Sequence, residues 1–265
     1  MEDVQSRSDH RGIAIDKVGV TDLHYPIVVL DQNNDRQHTV ATLSLSVNLP
    51  HHFKGTHMSR FIEVLNEHRG ELTMRTLPGI LRDLKSRLDA ESAHIEVDFP
   101  YFVERAAPVT GARALIDFEC SFVGSLNGSS DDFVLKVRTP VTSLCPCSKE
   151  ISKYGAHNQR GFITIQVRTG RESNGVPQLI WIEELVAIAD ASASAPVYPL
   201  LKRSDEKRVT EQAWENPVFV EDMVRNAAQV LSSDERVTWF RVGAVNQESI
   251  HNHSAFAELE WSREQ

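Results

Sequence analysis

Twice along this chain the apolar residues change their spacing in the same order, and few folds accommodate that pattern. In "HTVATLSLSVNL", residues 38–49, Ala41, Leu43, Leu45 and Val47 alternate with Thr42, Ser44 and Ser46, the period of a half-buried strand. Helical spacing follows at Met58, Phe61, Ile62 and Leu65, and again at Leu77, Leu81, Leu84 and Leu88. Alternation returns at Ile95, Val97 and Phe99, and in "ARALIDFECSFVG", residues 112–124. The turn-rich "SLNGSSDD" then joins this strand to "FVLKVRTPV", which predicts an antiparallel hairpin. Beyond it "FITIQVRT" reads as a strand, "IWIEELVAIADAS" and "NPVFVEDMVRNAAQVL" as helices, and "RVTWFRVGAV" and "SAFAELEW" as strands.

With a short opening strand in "GIAIDKVGV", each half reads strand, strand, helix, helix, strand, strand. The expectation is an α+β protein of two related modules, residues 1–128 and 129–265, whose antiparallel sheets are each covered by two helices. Unpaired edges and polar faces in such sheets call for neighbouring subunits.

The chain's 265 residues can bury a large core without staples, and three cysteines, an odd number, argue against a disulfide framework. The opening "MEDVQSRSDH" lacks a basic then apolar leader, and no apolar run nears the roughly 18 residues of a membrane helix. A soluble, cytoplasmic protein with no membrane partner is expected, so the triads at Asn127 and Asn252 read as incidental matches to a glycosylation pattern. A net charge of −9 excludes a broad nucleic-acid surface. Local clusters at Lys149, Lys153 and Arg160, and at Lys202, Arg203, Lys207 and Arg208, still allow a pocket for a compact anion.

Chemistry concentrates in "TSLCPCSKEISKYGAHNQRG", residues 142–161. Cys145 and Cys147 flank one proline and His157 follows; a thiolate and an imidazole suit zinc or a related divalent ion, but this spacing supplies no full ligand set. Buried thiols, loop packing or a reactive pair account for the same residues, and redox exchange is the weaker reading because its usual motif spaces the cysteines by two. Cys120, within "DFECSF", reads as core. Glu206, Glu211, Glu215 and Glu221 could converge as ligands or substrate contacts, although each alone also fits a solvated helix face. His251 and His253, two apart before the last strand, could share a face and move protons near neutral pH.

The stretches "GTHMSRF", "TSLCPCSKEISKYGAHNQRG", "YPLLKRSDEKRVTEQAWENPVFVEDMVR" and "ESIHNHSAFA", with the opening "DVQSRSDHRGIAIDKVGV", resemble the type IB GTP cyclohydrolase family over most of the chain. That resemblance implies a bimodular tunneling fold and a homotetramer with active sites near subunit interfaces. It also implies conversion of GTP and water to 7,8-dihydroneopterin triphosphate and formate, for folate and queuosine synthesis. Carried over residue by residue, it implies Cys145, His157 and Glu206 as ligands of one divalent metal, zinc or manganese, with iron a further candidate. Glu221 would anchor the guanine edge, while Cys145, His157, His251 and His253 would form the catalytic group. His57 would serve the ribose or triphosphate side, with Lys149, Arg160, Lys202, Arg203, Lys207 and Arg208 around the triphosphate. Cys147 would tune or protect the site without being its main ligand.

Two other functions fit parts of the pattern. A tunneling-fold nitrile reductase would use a cysteine as covalent nucleophile and require NADPH. A non-catalytic nucleotide-binding protein would hold metal and nucleotide without releasing formate.

Overall fold

The computed structural model describes residue 5 and residues 7–70, 72–173 and 175–264; part of the family-like stretch 3–20 therefore lies outside the described residues. The chain forms two compact units. The first comprises residues 1–100 and 121–135, the second residues 101–120 and 136–265.

The first unit opens with β1 (Ile15–Asp31) and β2 (Asp35–Leu49), a long antiparallel hairpin. Its turn is set by Asp31, whose carboxylate accepts from the Asn33 and Asn34 amides at 2.9 and 2.8 Å, and by Asp35 at φ 66°. Those side-chain bonds mimic a backbone turn. The opening strand is thus far longer than "GIAIDKVGV" suggests, because its first half is mostly exposed and its register shifts between Val20 and Leu23, where Thr21 and Asp22 are both exposed and interrupt the alternation that marks a strand. Two helices follow, α1 (Met58–Glu67) and α2 (Leu77–Leu88), which turn Phe61, Val64, Leu65, Ile80, Leu81 and Leu84 into the core. Met58, expected on that face, stays exposed at the first turn. The sheet continues with the first part of β3 (Ser92–Ala106) and the later parts of β4 (Arg113–Asn127) and β5 (Ser130–Leu144), in the order β1-β2-β3-β4-β5.

In the second unit the other ends of β3, β4 and β5 are joined by β6 (Asn158–Thr169), β8 (Val237–Gln247) and β9 (Ser254–Ser262), in the order β3-β4-β5-β6-β8-β9. The two-residue β7 (Ala195–Pro196) pairs with β5. Helices α4 (Ile182–Ser192) and α6 (Val220–Ser233) pack on each other, and α6 on β8 and β9. They bury Leu185, Val186, Ala189, Met223, Val224, Ala227 and Leu231. Two further helices interrupt the expected order: α3 (Pro146–Ile151) and α5 (Arg203–Glu215).

The α+β architecture with two covering helices per unit is therefore present. Its units do not part at 128/129, which is only the β4–β5 turn. Strands of 15 residues reach past the end of one module, so β3, β4 and β5 each begin in one unit and finish in the other. Among the described residues no helix is long and apolar enough to cross a membrane.

Candidate active site around Cys145 and His157

Cys145 directly follows β5 and caps α3; Pro146, with its fixed φ and no N–H to satisfy, is suited to the first helical position. The thiol sulfur accepts from the Ser148 amide at 3.4 Å. Ser148 also clamps the two ends of the intervening loop: its hydroxyl donates to the Cys145 carbonyl at 3.3 Å and accepts from the His157 amide at 3.2 Å. The Cys145 amide in turn donates to the His157 carbonyl at 3.2 Å. Three hydrogen bonds thus bring together residues twelve apart in sequence, while Tyr154 between them is 98% exposed.

His157 leads directly into β6, with its side chain 12% exposed. Its Nδ1 lies 2.9 Å from Gln159 Oε1 and 3.6 Å from Glu248 Oε2. Gln159 Nε2 donates to Ser143 Oγ at 3.3 Å and to Glu248 Oε1 at 3.4 Å. Asn246 Nδ2 donates to the same Ser143 Oγ at 3.3 Å, and that hydroxyl donates to the Val218 carbonyl at 3.1 Å. Ser143, Gln159 and Asn246 are all buried. They occupy inward positions of β5, β6 and β8, where Val141, Ile163 and Ala244 supply the neighbouring apolar side chains. This buried amide and hydroxyl chain is missing from the sequence reading. Its available signal is a polar residue at an inward position on each of three strands.

Asn246 stands directly opposite Gly161 in the β6–β8 register. A Cβ on Gly161 would lie 2.3 Å from Asn246 Oδ1, so the glycine makes room for the amide. Arg160 points to the other face of β6 from Gln159, as strand alternation requires, and is exposed.

The remaining expected residues are distributed over the second unit, with one exception. Glu206 lies in the exposed first turn of α5 beside exposed Lys202, Arg203, Lys207 and Arg208. Lys207 pairs with Glu211 at 2.5 Å. The ammonium of Lys149 donates to the Trp214 carbonyl at 2.5 Å and sits 4.9 Å from that indole, which ties α3 to the last turn of α5. Glu221 is exposed in the first turn of α6. His251 and His253 are exposed after β8 with rings stacked at 5.0 Å, and the His251 amide donates to the Glu248 carbonyl at 3.3 Å. His57 precedes α1 and belongs to the first unit. Among the described residues no three His, Cys, Asp or Glu side chains stand together closely enough to hold a metal. Cys145 and His157 are thus joined within one chain, and Glu206 is not gathered to them.

The start of α5 is set by Asp205 and not by an apolar stripe. This fully buried carboxylate accepts from the amides of Val109, Thr110 and Lys202 at 2.8 to 2.9 Å and from the Thr110 hydroxyl at 2.7 Å. Burial alone would raise its pKa, but those donors hold it well below the usual carboxylate range. Cys145, Cys147 and Cys120 are all free thiols; Cys147 is exposed, whereas burial pushes the Cys120 thiol far up.

Known proteins match this chain along nearly its whole length. The family described as type I GTP cyclohydrolase FolE2 matches residues 1–257. GTP cyclohydrolase FolE2 of Syntrophotalea carbinolica is 55% identical over 261 residues, covering 98% of this chain and 95% of that protein. The protein of the same name from Geobacter sulfurreducens is 55% identical over 260 residues, covering 98% of each. That of Nitrosococcus oceani is 52% identical, covering 98% of this chain and 95% of its own. Among solved structures, uricase from Arthrobacter globiformis superposes with a TM-score of 0.54 at 9% identity, covering 94% of both chains. Urate oxidase from Bacillus subtilis 168 does so with a TM-score of 0.54 at 8% identity, covering 93% of this chain and 98% of that one. These urate oxidases share only the architecture, the tunneling fold. Full-length identity above one half establishes more than architecture, and the chain belongs to the type I GTP cyclohydrolase FolE2 family.

Proposed function

We propose that this chain is a metal-dependent hydrolase that converts GTP and water to 7,8-dihydroneopterin triphosphate and formate. The family match along residues 1–257 supports the reaction. The observation that supports the site is the backbone bond between Cys145 and His157, which holds a cysteine and a histidine close together where β5 leaves and β6 begins. Sulfur and nitrogen donors suit zinc, and a mixed site completed by a carboxylate oxygen also admits manganese, with iron a third identity. Such an ion, when bound, lowers the pKa of a bound water and so provides a nucleophile for C8 of the guanine base.

The chain's own residues supply the rest. Cys145 and His157 hold two positions and Glu206 brings a third, carboxylate donor. Because one chain does not gather these three, we place the complete site at a contact between copies, as a homotetramer would provide. Glu221 accepts hydrogen bonds from the guanine N–H and amine. The stacked, exposed His251 and His253 transfer protons as the imidazole ring opens and the pterin closes. Arg160, Lys202, Arg203 and Arg208 are exposed cations able to meet a triphosphate, and His57 serves the ribose side. Lys149 and Lys207 must first release Trp214 and Glu211 to join them. Cys147, exposed beside the pair, protects or tunes it. The product would enter folate or queuosine synthesis in the cytoplasm.

The test is anaerobic preparation, removal and return of divalent metal, and simultaneous measurement of GTP loss, formate and dihydroneopterin triphosphate. Both products should appear only with metal. Full metal loading with neither product would make this a nucleotide-binding protein. Oxidation of NADPH with a nitrile substrate would make it a reductase.

A further inference from the structure

We infer that Gln159 is a positioning residue that fixes which ring nitrogen of His157 carries the proton. The inference rests on the reading of His157 as a metal ligand, but it concerns hydrogen bonds already made within the chain.

A glutamine amide can face its neighbours in two ways, and here only one satisfies them all. The Ser143 hydroxyl has a single proton, which goes to the Val218 carbonyl at 3.1 Å, so toward Gln159 and Asn246 it offers only lone pairs. Glu248, when ionised, is an acceptor alone. Both groups therefore demand the amino end of Gln159, which contacts them at 3.3 and 3.4 Å. The carbonyl end must then face His157, where Oε1 lies 2.9 Å from Nδ1. A carbonyl cannot donate, so Nδ1 carries the hydrogen and Nε2 of the neutral ring keeps its lone pair. The backbone carbonyl of Val218 thus dictates, through Ser143 and Gln159, the free nitrogen of the histidine just before β6. Asn246 fills the second lone pair of Ser143 and prevents the hydroxyl from turning.

Glu248 is the competing holder, since its Oε2 lies 3.6 Å from the same Nδ1, beyond a normal hydrogen bond. The contact at 2.9 Å assigns the direct role to Gln159 and leaves Glu248 as a second acceptor for its amino group, beside Ser143.

The experiment uses the full chain, metal-free, with ¹⁵N-labelled histidine, at a pH above about 8 where imidazoles are neutral. The His157 ring is identified by its loss in His157→Ala. Wild type should show Nδ1 protonated and Nε2 bare. Gln159→Met, close in volume and without hydrogen bonds, should lose that preference, whereas Glu248→Gln should keep it. Should Gln159→Met fail to fold, Ser143→Ala combined with Glu248→Gln, which removes both acceptors that demand the amino end, carries the same test and should let the second tautomer appear. Zinc affinity of Gln159→Met should fall about 10- to 100-fold, as for other residues that orient a ligating imidazole. An unchanged tautomer in Gln159→Met, or its loss in Glu248→Gln alone, would overturn the assignment. If added zinc leaves the wild-type His157 signals unmoved, the ligand reading fails while the tautomer result stands.

Discussion

Replacing Arg105 with methionine should destabilise the second unit by an amount that depends strongly on pH. Arg105 and Asp190 form an ion pair at 2.5 Å with side chains only 11% and 17% exposed. The same guanidinium donates to the Val197 carbonyl at 2.6 Å and lies 5.6 and 5.7 Å from the Phe118 and Tyr198 rings. Burial pushes the Asp190 carboxyl up to about 6, and Arg105 pulls against it. The folded value is raised, so the contribution of Asp190 to stability is fully present below its ordinary value of 3.8 and is lost as pH rises through about 6. The difference amounts to about 3 kcal/mol between those limits. Without Arg105 a carboxylate remains buried and unpaired, which costs about 3 to 5 kcal/mol at pH 8. At pH 5 the carboxyl is neutral in the folded variant, and the remaining loss is the hydrogen bond to Val197, about 1 kcal/mol. Urea denaturation at both pH values and one protein concentration measures the two losses. Arg105→Met with Asp190→Leu should recover most of the loss at pH 8, because no bare charge is left. Equal losses at the two pH values, or a loss below about 1 kcal/mol at pH 8, would refute the reasoning.

Four further outcomes are expected. Gly161→Ala drives its methyl into Asn246 Oδ1, and should cost about 2 to 4 kcal/mol in urea denaturation through overpacking and a broken Asn246–Ser143 bond. Asp205 has a lowered folded pKa, so its contribution is present above 3.8 and is lost only as pH falls well below that value. Asp205→Asn should accordingly melt earlier than wild type at pH 7, with a narrowing gap in strong acid. Alkylation of the folded protein should modify the exposed Cys147 readily and leave Cys120 untouched until unfolding, as mass spectrometry can read. Cys145→Ala should abolish metal retention and turnover, while Cys147→Ala should keep its metal in elemental analysis; full metal loss in a folded Cys147→Ala would reverse their roles.

How far these features can be read from residues alone depends on whether burial leaves a periodic trace. Helices α4 and α6 turn apolar stripes inward and are evident in the sequence. Helix α5 buries only Asp205 and Ala213, so its sequence looks like a solvated charge run although a buried carboxylate pins its first turn. Strand β1 is hidden for a related reason: its first half is mostly exposed and carries register shifts that upset alternation. Cys145 and His157 can be paired from one compact stretch because Ser148 closes the loop locally. Gln159, Ser143 and Asn246 meet only after three strands align, and each alone looks like an isolated polar residue in a strand.

The passage of β3, β4 and β5 through both units has a practical consequence for taking the protein apart. The polypeptide crosses the boundary three times, after residues 100, 120 and 135. A truncation at residue 128, where sequence alone would place the joint, leaves the first unit without residues 129–135 and the second without residues 101–120. Neither fragment would hold a complete sheet. The halves can therefore be neither expressed separately nor exchanged like beads on a string, and a single proteolytic cut between residues 101 and 135 would injure both at once.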